Sequence, residues 1–475
     1  MLMRPRLGSL LAVFAASVFA ADDRPSVVFI FADDQQADTI RALGNPHIRT
    51  PNLDRLAARG VAFDRAYMQG GLHGATCVPS RAMLLSARPL FRSDEKLARD
   101  PTWPAAFGAA GYRTFVSGKW HNGAASVPLS FQRATSMFTG GMTNPMKASL
   151  SSWEHGKQGP ARVEPRHACE AFAEAVVAFL REPGEGPSFA YLPFDGPHDP
   201  HIVPDDFPEK YDPAALPLPP NFLPQHPFDN GEMTIRDEAL LPWPRTSADI
   251  RGMLAEYYRY ITYLDLLIGR VIDAVDASPR ARNTIIVFTA DSGVARGSHG
   301  LIGKQNLYEH SVRVPLIVAG PGIPAGRRTA AMCYLFDLMP TLGALCSVPA
   351  PATSEGRDLS AVLRDPSRGG REALMFAYRD VQRGVRDERW KLIRYPQVDR
   401  TQLFDLAADP HELRDLSAEP AHGTRIAQLT ARLESEMKSF GDPASLRVAQ
   451  PKPAAWSPPA KGTGGRAGKK TAKSE

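Results

Sequence analysis

Cys77-Val78-Pro79-Ser80-Arg81 sets a nucleophilic side chain, a proline and a permanent cation within five residues. Pro79 suits the first turn of a helix, where an amide hydrogen would have no partner. The apolar run Met83-Leu84-Leu85 gives that helix a face to bury. Residue 77 is therefore expected at a helix N-terminus, where free amides and the helix dipole attract anions. An activated group beside an anion site suits attack on a negatively charged ester. A thiolate is one reading, because helix N-termini lower a cysteine pKa. It requires a histidine base and an orienting group, and no local cysteine-protease signature is present. A buried cysteine serving as a small apolar residue is another reading.

Carboxylates supply the second chemical signal. Asp33 and Asp34 are adjacent, directly behind the apolar run Val27–Phe31, and Asp291 follows a second such run, Thr284–Thr289. Two aspartates at the end of a buried strand repel each other unless a cation neutralises them. Three carboxylates without clustered cysteine or histidine favour a hard cation, Ca²⁺ or Mg²⁺, over zinc. Lys119, His121 and His198 follow further strand-like runs.

Those residues need a scaffold that gathers strand ends. Val27–Phe31 reads as a strand buried on both faces, as in parallel sheets. Thr50-Pro51 reads as a cap of a helix closing at Gly60, and Thr102 precedes a short helix ending at Gly111. A strand over Tyr112–Val116, a helix over His167–Arg181, a strand over Ser188–Phe194, a long helix over Ser247–Ala277 and the strand Thr284–Thr289 continue the pattern. Such alternation argues for an α/β layered domain, with ligands collecting at the carboxyl ends of its strands. After residue 370, strands over Leu374–Val381, Gly384–Arg394 and Gln402–Leu406 precede a helix over Arg425–Lys438, the pattern of a small antiparallel subdomain.

The expected organisation is a signal peptide over 1–20, a catalytic domain over 21–370, the antiparallel subdomain over 371–445 and a disordered basic tail over 446–475. Arg4 and Arg6 before the apolar run Leu7–Phe19, with Val18-Phe19-Ala20 as cleavage site, point to export into the periplasm or medium, and no span remains after cleavage. The net charge of +5 resides entirely in the tail, where Lys452, Lys461, Arg466, Lys469, Lys470 and Lys473 face one acid. A neutral body gives no signal for nucleic acid. Cys333 and Cys346 flank a helix about 20 Å long and are too far apart to pair.

Several motifs, in order over residues 25–440, resemble the type I sulfatases of the alkaline phosphatase superfamily. Cys77–Arg81 resembles their maturation motif, and Gly111–His121 their second signature along its whole length. Phe31–Gln36 with Thr50–Asp54 resembles the amino-terminal metal segment, and Pro197-His198-Asp199-Pro200 the Pro-His-x-Pro element. Phe288–Gly293, Gly297–Gly300, Lys304 and the strands Arg389–Ile393 and Leu403–Leu406 resemble later elements. The likeness leans toward choline-sulfatase and iduronate-sulfatase members. It implies a large, mostly parallel sheet between helices, with a smaller carboxyl-terminal antiparallel sheet and helix.

The resemblance further implies that a maturase oxidises Cys77 to Cα-formylglycine. Asp33, Asp34, Asp291 and the modified residue 77 become metal ligands, with Ser292 where the family usually has Asn or His. Arg81 orients residue 77, Lys119, His198 and Lys304 hold sulfate, and His121 contacts the formylglycine hydroxyl. The aldehyde hydrates to a geminal diol. One hydroxyl attacks sulfur and expels the alcohol, and the other lets the sulfated intermediate collapse by C–O cleavage. His198 or Lys119 could protonate the leaving oxygen. His299 and His73 are weaker candidates, either of which could simply shape a loop. Val78 and Ser86-Ala87 also depart from the usual motif. The expected reaction is hydrolysis of sulfate monoesters on sulfated carbohydrates. A small ester such as choline sulfate, a phosphonate or phosphodiester substrate, and a decayed glycan-binding site are the alternatives. Segments 124–160 and 200–243 are expected to wall the pocket.

Overall fold

The computed structural model describes residues 23–458. The expected signal peptide and the last part of the basic tail lie outside the described residues. The central strand β1 (Ser26–Ala32) is buried at every position. Its β-branched and aromatic residues therefore face packed layers on both sides. Helix α1 (Cys77–Ser86) comes next, followed by β2 (Arg113–Lys119), β3 (Ser188–Pro193), the 30-residue helix α2 (Ser247–Asp276) and β4 (Thr284–Ala290).

β4, β1, β3 and β2 lie side by side and parallel at the centre of an 11-stranded sheet. The registers Ala32↔Ala290 and Phe31↔Pro193 bring three strand ends level. Beyond β2, strand 133–138 is parallel and 149–154 antiparallel; beyond β4, strand 316–319 is antiparallel. The sheet is thus mixed, mostly parallel at its core. Strands 133–138 and 149–154 carry no continuous apolar run, and their exposed edge positions explain why the sequence reads there only as pocket wall.

β2 extends three residues past the strand expected over 112–116. Gly118 permits this: its φ is +139°, the ladder to strand 133–138 shifts register beside it, and a Cβ there would lie 2.0 Å from the Pro193 carbonyl oxygen. A second difference concerns the helix Pro51–Arg59. Thr50 makes no side-chain cap; Asp265 on α2 accepts from the amides of Asn52 (3.0 Å) and Leu53 (2.8 Å) instead. The Thr50–Asp54 motif therefore anchors a helix to α2.

The carboxyl-terminal sheet contains strands 374–378, 382–386, 390–395 and 400–405 in antiparallel order, with helix 423–440 against it. The single strand expected over 384–394 is two strands. Asp387 accepts from the amides of Arg389 (2.9 Å) and Trp390 (2.7 Å) and makes the turn between them. This sheet also takes in Gly70–Gly71, parallel to Ala377–Tyr378. A Cβ at Gly70 would sit 1.8 Å from the Ala377 carbonyl oxygen. The carboxyl-terminal unit thus holds the segment that leads into Cys77. Lys391 Nζ reinforces the junction, 3.0 Å from Glu309 and 2.9 Å from Glu412. Of the residues set apart as tail, 446–458 lie against the body: Leu446 is buried, and the Trp456 ring meets Trp243 edge-on at 5.6 Å. All four cysteines are free, so Cys333 and Cys346 do not pair. Among the described residues no helix is long and apolar enough to cross a membrane.

Gly118 carries a direct test. Gly118→Ala forces apart the backbones of β2 and β3 at the residue before Lys119. The expected cost is about 3 kcal/mol of stability, read by denaturant unfolding. Unchanged stability would contradict the close approach of the two strands.

Candidate active site

Each of the four central strands delivers polar groups at its carboxyl end. β1 runs into Asp33 and Asp34, β4 into Asp291 and Ser292, β2 ends on Lys119 with His121 just beyond, and the turn after β3 carries His198. Asp34 has φ +63°, a strained value for a residue with a side chain. Two contacts over-determine it: its amide donates to Asp291 Oδ1 (3.1 Å), and its carbonyl accepts from Tyr257 of α2 (2.6 Å).

α1 starts at Cys77, and nine of its ten residues are buried. Asn122 Nδ2 donates to the Val78 carbonyl (2.9 Å), and Ser80 Oγ to the Asp291 carbonyl (2.7 Å). Arg81, on the helix's second turn, is 1% exposed. Its Nη2 donates to Asp33 Oδ2 (2.9 Å) and Asp291 Oδ2 (3.1 Å). Lys119 Nζ lies 2.5 Å from Asp33 Oδ2, and Lys304 Nζ 2.6 Å from Asp34 Oδ1. Ser292 Oγ donates to the same Asp34 oxygen (2.8 Å). Three carboxylates therefore face three cationic side chains.

The electrostatics follow from that packing. Burial alone would raise the Asp33 carboxyl, but Lys119 and Arg81 hold it well below the usual range. Asp291 is pushed up, by burial and then by the charge of Asp33. Burial opposes the charge on Lys119 and Lys304, yet Asp33 and Asp34 respectively raise both above the ordinary lysine value. His121 falls to about 3 through burial and the neighbouring Lys119, so it is neutral at pH 7. Burial pushes the Cys77 thiol up, against the pull of Lys119 and Lys304. That direction opposes a resting thiolate, so the cysteine-nucleophile reading loses its premise. Cys77 Sγ instead lies 3.3 Å from His121 Nδ1. His198 Nδ1 donates to the Asp199 carbonyl (2.7 Å), which leaves Nε2 facing Asp34 Oδ2 at 3.6 Å.

Donor atoms of Asp33, Cys77 and Asp291 lie within 4.8 Å of one another, as do those of Asp33, Asp34 and His198. Asp33 Oδ1 is buried without a hydrogen-bond partner. An orphaned carboxylate oxygen among two further carboxylates fits a hard, oxygen-seeking cation. The cleft above has a volume of about 300 Å³; Cys77, His121, His198 and Lys304 form its floor.

All the residues given candidate roles in the chemistry converge here except two, His299 and His73. His299 stacks on Tyr308 (3.9 Å between ring centres) and contacts Asn221 at 3.0 Å, which shapes its loop. His73 lies 2.8 Å from Glu95, and neither histidine lines the cleft. Segments 124–160 and 200–243, expected to wall the pocket, do supply Gly141, Met142, Ile235, Arg236 and Asp237 to the cleft, but sequence reasoning did not single out individual rim residues. Asp199 stands inside the Pro197–Pro200 motif and Gln305 directly follows Lys304, each beside an assigned residue. Arg236 and Asp237 come from segment 200–243, which has no periodicity to mark them.

Comparison with known proteins agrees with this geometry. Residues 25–348 match the sulfatase family, and residues 297–439 match the carboxyl-terminal family of N-sulphoglucosamine sulphohydrolase. An N-acetylglucosamine-6-O-sulfatase of Bacteroides thetaiotaomicron is 25% identical, over 88% of this chain and 87% of its own. An ulvan-active sulfatase of Formosa agariphila is 27% identical, over 88% of this chain and 82% of its own. A protein solved in complex with its substrate D-glucosamine-2-N,6-O-disulfate superposes with a TM-score of 0.73 at 23% identity, covering 88% of this chain and 99% of that one. With its motifs in order, its strand-end carboxylates and a family match across most of its length, the chain belongs to the sulfatase family of sulfuric ester hydrolases, on the alkaline-phosphatase-like fold.

Proposed function

We propose that this enzyme hydrolyses sulfate monoesters of sugars, using a formylglycine made from Cys77 and one divalent cation, Ca²⁺ or Mg²⁺. The observation that carries the reading is the convergence of Asp33, Asp34, Asp291, Arg81, Lys119 and Lys304 around Cys77 at the floor of one cleft. The Cys77 thiol stands where the aldehyde hydrate would be. That hydrate supplies one hydroxyl for attack on sulfur and a second for release of sulfate from the enzyme. Asp33, Asp34 and Asp291 would hold the cation, with Ser292 beside Asp34; when bound, it offsets negative charge on the ester oxygens.

The remaining roles follow from charge and proton inventory. Lys119 and Lys304 are paired with Asp33 and Asp34; with those carboxylates holding a cation, both lysines would be free to bind sulfate oxygens. His121 is neutral and lies against residue 77, so its Nδ1 accepts the hydroxyl proton during release. His198 Nε2 is the atom positioned to protonate the leaving oxygen, a role it fills as an imidazolium, since Nδ1 keeps its own proton on the Asp199 carbonyl. Ser292 is engaged with Asp34, which supports a working site over a decayed one. The amino-terminal segment supports export, and a formylglycine-generating maturase is the required partner.

Two experiments test this. Co-expression with a maturase should give a Cys77 peptide in which the CH₂–SH group has become CHO, and sulfate release from aryl and sugar sulfates. Intact thiol with no turnover would sink the enzyme reading. Cys77→Ala should be inactive in any host, and Cys77→Ser inactive wherever only cysteine is modified. Full activity in an unmodified Ser variant would exclude the formylglycine mechanism. Faster turnover of phosphonate or phosphodiester analogues would move the enzyme to phosphorus.

Chelation should remove activity and Ca²⁺ or Mg²⁺ restore it. Asp291→Asn should lower turnover by several kcal/mol, on the order of a thousandfold. Ser292→Ala should weaken the cation by about tenfold, read as the Ca²⁺ concentration for half-maximal rate. No change in that concentration would remove Ser292 from the cation's surroundings.

A further inference from the structure

The mouth of the cleft differs in character from its floor. Met142 and Ile235 form apolar walls, with Gly74 and Gly141 as small neighbours. Among the described residues lining the cleft, the cation at the mouth is Arg236, and each of its nitrogens is engaged. Nε donates to Asp237 Oδ1 (2.9 Å). Nη1 and Nη2 make a bidentate pair with Asp199 (2.6 and 2.9 Å). Nη2 also lies 2.7 Å from Asp237 Oδ1, and Nη1 donates to Met142 Sδ (3.1 Å). A guanidinium has five N–H groups; four hydrogen bonds and the Nη2–Asp237 ion pair occupy all three of its nitrogens. Asp237 Oδ2 in turn accepts from Gln305 Nε2 (2.7 Å), and that nitrogen also donates to the Gly74 carbonyl (2.9 Å). Arg379 has Nη2 3.9 Å from where a Cβ at Gly74 would stand, and its Nε is paired with Glu232 at 3.0 Å.

Two carboxylates thus surround one saturated guanidinium. A second anion on the substrate finds no free donor at Arg236 and meets a surplus negative charge. A quaternary ammonium group would be drawn by that charge, but both carboxylates are already engaged by Arg236 and no Phe, Tyr or Trp, the aromatic faces that hold such a cation, is among the described residues lining the cleft. The volume of about 300 Å³ is at the small end for ligand pockets. The apolar walls suit one ring of a sugar.

Resting on the sulfatase reading, we infer that the enzyme selects monosulfated sugars whose leaving group is otherwise uncharged, and that Asp199 and Asp237 set this selectivity by occupying Arg236. Neither aspartate need touch sulfate; each acts through the guanidinium it holds.

The test compares pairs of esters differing by one remote charge. Mature, Ca²⁺-loaded enzyme is given galactose and N-acetylglucosamine monosulfates, each beside its disulfated counterpart, with choline sulfate as a third arm. The monosulfate should have the higher kcat/KM by about tenfold or more, as expected for one unscreened like charge near the rim. Asp199→Asn and Asp237→Asn should each free a guanidinium edge and bring the ratio toward unity, through a lower KM for the disulfated sugar. Equal or faster turnover of the disulfated ester or of choline sulfate by the wild type would overturn the inference. So would an unchanged ratio in both folded variants. If a variant does not fold, the wild-type ratio decides alone. If no sulfate ester is turned over, the proposed function fails separately. Calorimetry of the same pairs on full-length Cys77→Ala protein then reads the selectivity, and equal binding overturns it.

Discussion

The Arg81 guanidinium joins the carboxyl ends of all four central strands. It donates to Asp33 behind β1, to Asp291 behind β4, to the Lys119 carbonyl at the end of β2 (3.1 Å) and to the Phe194 carbonyl just past β3 (3.4 Å). Arg81, Asp33 and Asp291 are essentially without solvent. Burying an ion costs several kcal/mol even after relaxation, so each of these groups is tolerable only in the company of the others. A lysine could not replace this cation. Only a planar fork reaches four strand ends at once while its charge spreads across two carboxylates.

That constraint fixes where chemistry can occur. Because Arg81 lies one turn into α1, the helix must start beside the strand ends, and Cys77 comes to the floor of the cleft. The carboxyl-terminal sheet contributes from the other direction. Its strand 374–378 captures Gly70–Gly71 and delivers the chain to the helix start. α2 completes the arrangement from a third side, where Tyr257 holds the Asp34 carbonyl. Residues far apart in sequence thus hold one small volume rigid, as a site for charge stabilisation requires.

Much of this was legible in the sequence because the floor is made of strand ends. A buried strand announces itself as an apolar run, and the first polar residues after it are forced toward the ligand-binding edge. Asp33, Asp34, Lys119, His198 and Asp291 were all found that way. The path of β2 through Gly118 was hidden, since a bulge depends on the neighbouring strand. The cap of helix 51–59 was hidden too, because Asp265 lies more than two hundred residues away. Arg236 and Asp237 sit in irregular chain, where position comes from tertiary contacts alone. Asp199 was visible inside a motif, but its partner was not.

Floor and rim together account for how one cleft can bind an anion and still discriminate among anions. Lys304 lines the floor, with Lys119 and a carboxylate set suited to a divalent cation packed beside it, and on the proposed reading a single sulfate binds there. The rim has the opposite balance, with Asp199 and Asp237 around one guanidinium. Electrostatic attraction is therefore confined to the depth reached by the ester being cleaved. His198 links the two zones, since its Nδ1 is held by the carbonyl of Asp199, whose carboxylate holds Arg236. On the proposed mechanism the residue that holds the rim guanidinium and the ring that protonates the leaving oxygen are neighbours, so recognition of the alcohol and its protonation would belong to the same short segment, Pro197–Pro200.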